Sequence, residues 1–158
     1  MILGQPLFEE FATEMNLFRV RYLVFGGLAV VVHGYIRTTG DVDLWVEKST
    51  ENLALVKQGF LKMNYSLEEV EEAAAHYQKG LKLTMFLDED SETPIEFMPI
   101  YATKVSFEKA WEIKKQHPFG ETFINVVDMD TLTDMKLRAG REQDLRDVVE
   151  LKREHNLL

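Results

Sequence analysis

The apolar run from Leu23 to Val32 constrains this chain most, because Gly26-Gly27 interrupts it in the middle. At ten residues it is too short to cross a bilayer, which takes about 20. The glycines divide it. Tyr22 to Phe25 reads as a short buried strand, and Leu28 to Gly34 suits a helix that is apolar on most sides and therefore buried.

The rest of the chain supplies elements around that pair. Leu7, Phe8, Phe11, Met15 and Phe18 fall near helical spacing and predict an opening amphipathic helix. Arg37-Thr38-Thr39-Gly40 is a polar turn, and Asp41 to Glu47 alternates as a second strand. Leu53, Val56, Phe60 and Met63 mark another helix. Ser66-Leu67-Glu68-Glu69 has the capping-box pattern and begins the next, with Val70, Ala73, Ala74 and Tyr77 on its inner face. Leu81 to Leu87 and Ile95 to Ile100 predict a hairpin around the acidic turn Asp88 to Thr93, with Pro94 at a first strand position that tolerates a missing N–H. Phe107, Ala110, Trp111 and Lys114 indicate a helix, closed by His117-Pro118-Phe119-Gly120. A short strand from Phe123 to Val127 precedes a helical C-terminal third, residues 130–158. This order predicts an α+β fold, a small mixed sheet flanked by helices, in one domain spanning 1–158.

Composition narrows the function. The chain has no cysteine, which excludes disulfides and thiolate zinc sites and fits a reducing compartment. The first six residues lack the basic start and apolar core of a signal peptide, so a cytoplasmic protein with no membrane partner is expected. Its 18 basic and 27 acidic residues give a formal charge of −9, which repels polyphosphate backbones and argues against general DNA or RNA coating. Nucleotide chemistry stays open, because a multivalent cation can offset the acidity at one site.

Two devices at fixed separation carry the chemistry. Glycine at 26 and 27 lets a ligand approach the backbone closely, where the start of a helix offers free N–H groups to a phosphate. Asp41 and Asp43, two apart on a strand, project from the same face. Two carboxylates so placed are unfavourable unless a cation or protons intervene, and hard oxygen ligands without cysteine or paired histidine favour Mg²⁺ or Mn²⁺ over zinc. Arg37, just before the acids, is placed to hold a phosphate. Either device alone reads as an ordinary turn or a solvated edge; the combination is what points to a site. Walker A and dinucleotide fingerprints are absent. His33 reads as a hydrogen-bonded residue of the core, and His76, His117 and His155 show no metal-ligand spacing.

The pattern Phe25-Gly26-Gly27, a helix, then Asp41-Val42-Asp43-Leu44 resembles the signature of the DNA polymerase beta-like nucleotidyltransferase superfamily. With Ala29, His33-Gly34, Arg37 and Thr39 before the acids, it is most similar to minimal stand-alone bacterial members, including AbiEii-type toxin relatives. The resemblance implies a nucleotidyltransferase fold and a third carboxylate on a neighbouring strand. Glu96 stands where that residue is expected, although the family usually has Asp there. The segment Asp134 to Asp147 resembles the family's closing helix, in which Lys136 would contact a nucleotide phosphate. A charged helix face with local salt bridges explains Lys136 and Arg141 equally well.

The resemblance implies metal-dependent transfer of a nucleoside monophosphate from an NTP to an acceptor hydroxyl. Asp41, Asp43 and Glu96 would hold Mg²⁺ or Mn²⁺, and Gly26, Gly27, Arg37, Thr39 and Lys136 would bind substrate. The acceptor stays open between a small molecule, a protein and an RNA end, as does a protein partner or homodimer. The alternative is an inactive binding or regulatory module of the same fold, for instance in a toxin–antitoxin pair. A third alternative, an acidic surface module without a ligand, leaves the glycines and acids unexplained.

Overall fold

The computed structural model describes residues 6–87, 93–99 and 103–158. The predicted turn at Asp88 to Thr93 falls largely outside these residues, as does Ile100 at the end of the predicted hairpin strand. The described elements run α1 (Pro6–Leu17), β1 (Tyr22–Phe25), α2 (Gly26–Val32), β2 (Val42–Val46), α3 (Thr50–Lys62), α4 (Leu67–Gln78) and β3 (Leu83–Met85). They continue with β4 (Ile95–Met98), α5 (Phe107–Glu112), β5 (Lys115–Phe119), β6 (Thr122–Val126), α6 (Met129–Ala139) and α7 (Glu142–Glu154). The fold is α+β. Its strands form one open mixed sheet in the order β3-β4-β2-β1-β6-β5.

The apolar strand β1 takes a central place because all four of its residues are buried, so both of its faces are covered. It pairs antiparallel with β2 and parallel with β6, while β2 pairs parallel with β4. Helices α1, α3 and α4 pack on one another in succession, and α2, α6 and α7 form a second group. Phe8, Phe11, Ala12 and Met15 are the inward stripe of α1. Ser66 and Glu69 exchange the two hydrogen bonds of the capping box that starts α4, 3.1 and 2.9 Å long.

Two local expectations are corrected. The buried helix does not wait for Leu28: α2 begins at Gly26 itself, because β1 passes into it with no intervening loop. The segment after α5 is not a loop that closes a helix. Lys115–Phe119 is strand β5, antiparallel to β6. Its sequence lacks apolar alternation because it lies at the sheet edge, where Pro118 removes no needed ladder bond.

Tyr77 fastens α4 to the sheet. Its buried hydroxyl accepts from the Val46 N–H at 3.2 Å and lies 2.7 Å from the Val46 carbonyl and 2.9 Å from that of Met98, either of which can take its proton. Burial pushes this phenol well above its usual pKa, so it stays protonated and able to donate. Tyr77→Phe is therefore expected to destabilise the protein by about 1–3 kcal/mol in urea denaturation, through unpaired backbone groups at the ends of β2 and β4.

Candidate metal centre

The register of three strands assembles the site. Phe25 on β1 lies opposite Asp43 on β2, which sets the Asp43 carboxylate beside Gly26. On the other side of β2, Asp43 lies opposite Glu96 on β4. Asp41 is two residues before Asp43 and shares its face by the period of two. One carboxylate oxygen from each of Asp41, Asp43 and Glu96 lies within 4.8 Å of the other two. All three acids are partly exposed, toward a cleft of about 560 Å³.

The glycines make room for this arrangement. Gly26 has φ +67°, and a Cβ there would stand 2.1 Å from Asp43 Oδ2. A Cβ at Gly27 would stand 2.3 Å from Thr39 Oγ1. Neither approach is physical, so the Gly-Gly pair is demanded by what packs against it as much as by backbone freedom. Thr39 in turn donates to the Asp41 carbonyl at 3.3 Å, tying the loop to the start of β2.

Crowding shows in the titration of the acids. Burial first, then the Asp41 and Glu96 carboxylates, push Asp43 up to about 7. Asp41 is raised as well, by burial and then by Glu96. Lys136 and Lys82 offset part of this at Asp43, and Lys82 and Arg141 at Asp41; Lys82 Nζ lies 2.7 Å from Glu96 Oε2.

The wall of the cleft comes from α6 and α7, locked by a charge network. Asp147, fully buried at the side chain, receives Arg37 Nε at 2.8 Å, Arg37 Nη2 at 2.9 Å and Gln143 Nε2 at 2.8 Å. Lys136 Nζ lies 2.9 Å from Asp147 and 3.2 Å from Asp144. Arg141 Nε lies 2.7 Å from Asp144. Burial works against ionisation of both aspartates, yet hydrogen bonds from Arg37, Lys136 and Gln143 hold Asp147 below the usual carboxylate range, and those from Arg141 and Lys136 do so for Asp144. His33 closes α2 from inside, donating from Nε2 to the Val127 carbonyl at 2.8 Å while its own carbonyl accepts from His155 at 2.7 Å.

Asp41, Asp43, Glu96, Gly26, Gly27, Thr39, Arg37 and Lys136 all line the one cleft. Arg37 and Lys136 do so with their charged ends engaged by Asp147, so each holds the wall together. Sequence reasoning gave Asp144 and Asp147 no role. The available signal was their spacing of three on the last helix, which turns both to one side. Lys82 was missed too, since it reads as one polar residue of an alternating strand. The chain matches no protein-family model and no curated protein.

Two outcomes follow from the electrostatics. Asp147→Ala leaves Lys136 buried against a weakened partner set and is expected to destabilise by about 3–5 kcal/mol in urea denaturation. In metal-free protein, Asp43 holds its proton more tightly folded than unfolded. Its stabilisation is full below pH about 4 and lost as pH rises through about 7. Thermal unfolding across pH 4–8 should show this decline, and Asp43→Asn should flatten it. A decline of equal size in the variant would assign the slope to other groups.

Proposed function

We propose that the cleft binds an NTP together with Mg²⁺ or Mn²⁺ and transfers its nucleoside monophosphate to an acceptor hydroxyl. The observation that carries this reading is the convergence of three carboxylate oxygens beside a glycine pair in a cleft of nucleotide size. The donor set fits a hard divalent ion, with oxygens only and an Asp43 that repels its neighbours until a cation arrives. Asp41, Asp43 and Glu96 would hold the ion, which supplies charge neutralisation for the phosphates and a lowered pKa for a nearby hydroxyl.

The chain's own residues do the rest. Gly26 and Gly27 let the Asp43 carboxylate and the Thr39 hydroxyl come hard against the backbone, which fixes both groups at the cleft. Thr39 offers a hydroxyl beside them. Arg37, Lys136 and Arg141 give the opposite wall a positive field that favours the leaving pyrophosphate, though each is anchored by aspartate. In the reaction, the acceptor oxygen forms a bond to the α-phosphorus, the α–β phosphoanhydride bond breaks, and pyrophosphate departs. The hydroxyl proton passes to a site carboxylate.

Calorimetry with each of the four NTPs at saturating Mn²⁺ is the test, followed by pyrophosphate release with candidate acceptors. Asp41→Ala and Asp43→Ala are each expected to lower turnover by about 100-fold or more. Binding of metal and NTP without turnover for any acceptor class would make the chain a regulatory module. No NTP binding at saturating metal, for any base, would sink both.

A further inference from the structure

Lys82 makes an ion pair with an acid of the triad itself. Arg37 and Lys136 meet Asp147, and Arg141 meets Asp144. Lys82 instead sets its ammonium on Glu96, the carboxylate that completes the triad. The backbone explains why. Thr84 on β3 lies opposite Glu96 on β4, and Lys82 is two residues before Thr84, so the period of two puts it on the side of the acids.

The two kinds of lysine differ in what it takes to move them. Lys136 is buried between two aspartates, and displacing it would leave uncompensated charge. Lys82 has a side chain 49% exposed on a flexible stem, and an ion pair of that kind contributes little to the fold. It can therefore yield its place. An ammonium on Glu96 and a divalent ion on the same carboxylate repel each other strongly at such range.

We propose that Lys82 is a tethered competitor for the cation position at Glu96, occupying that carboxylate until a metal–nucleotide complex loads, whereupon the freed ammonium pairs with the triphosphate. This regulation rests on the nucleotidyl-transfer reading of the same site. It makes metal binding without nucleotide deliberately weak, and couples it to arrival of the anion that takes up the lysine.

The test is calorimetric titration of Mn²⁺ into wild type, Lys82→Met, Glu96→Gln and the double variant, all without nucleotide. Lys82→Met is expected to bind Mn²⁺ about five-fold more tightly, the size of an exposed ion pair removed. The gain should vanish in the Glu96→Gln background, because competition runs through that carboxylate. At saturating Mn²⁺, NTP affinity of Lys82→Met should instead fall about five-fold. A lysine that merely supports the strand would not give opposite signs. Unchanged or weaker Mn²⁺ binding, an equal gain in both backgrounds, or undiminished NTP affinity overturns the competitor role while the metal centre stands. No Mn²⁺ binding by wild type or by Lys82→Met, with or without NTP, overturns the transferase reading and the competitor with it.

Discussion

The Asp43 carboxylate occupies the space a Cβ at position 26 would need, so a side chain there would force the carboxylate out of its place. A side chain at position 26 would stand 2.1 Å from Asp43 Oδ2, so the glycine, the β1–β2 register and the aspartate are one constraint seen from three sides. The rest of the site follows from it. Once Phe25 faces Asp43, Asp43 faces Glu96 through the parallel β2–β4 pair, and Asp41 falls beside both. A slip of one residue in the β2–β4 pairing would turn Asp43 and Glu96 to opposite faces and scatter the triad, and one in the β1–β2 pairing would carry the acids away from Gly26.

Charge is then divided between two neighbourhoods with opposite behaviour. Around Asp43, burial and like charge raise the acid and favour protonation or a cation. Around Asp144 and Asp147, arginine, lysine and glutamine overcome burial and keep the acids ionised. In the first neighbourhood burial and like charge outweigh the field of Lys82, Lys136 and Arg141, and in the second direct hydrogen bonds outweigh burial. That asymmetry separates a site that recruits a ligand from one that closes a wall, although both are clusters of aspartate in an acidic chain.

Much of this was legible in the residues. Gly26-Gly27 and Asp41-Val42-Asp43 have local signatures, and the alternation through β2 puts both acids on one face without knowledge of any partner strand. The capping box at Ser66 and the apolar stripe of α1 are equally local. Glu96 could be nominated only by the resemblance, because its position opposite Asp43 depends on a pairing between segments about fifty residues apart. β5 escaped because an edge strand with Pro118 carries none of the alternation that marks half-buried strands. The partners of Arg37 escaped for the same reason as Glu96. Asp147 stands at the far end of the chain, and nothing local to Arg37 distinguishes an arginine for phosphate from one for a buried carboxylate.

The commitments of the cations also fix what the C-terminal helices are for. Asp147 on α7 binds Arg37, which precedes β2, and Lys136 on α6, so one buried carboxylate ties both helices to the loop that leads into the carboxylate triad. Removing a surface cation would alter the field in the cleft. Removing Asp147 would instead release the wall and the entry to β2 together. The carboxylates of this chain thus fall into two layers around the cleft. Those on the sheet converge where they could hold an ion, and those on α7 hold in register the loop and helices that keep these oxygens facing a cleft rather than open water.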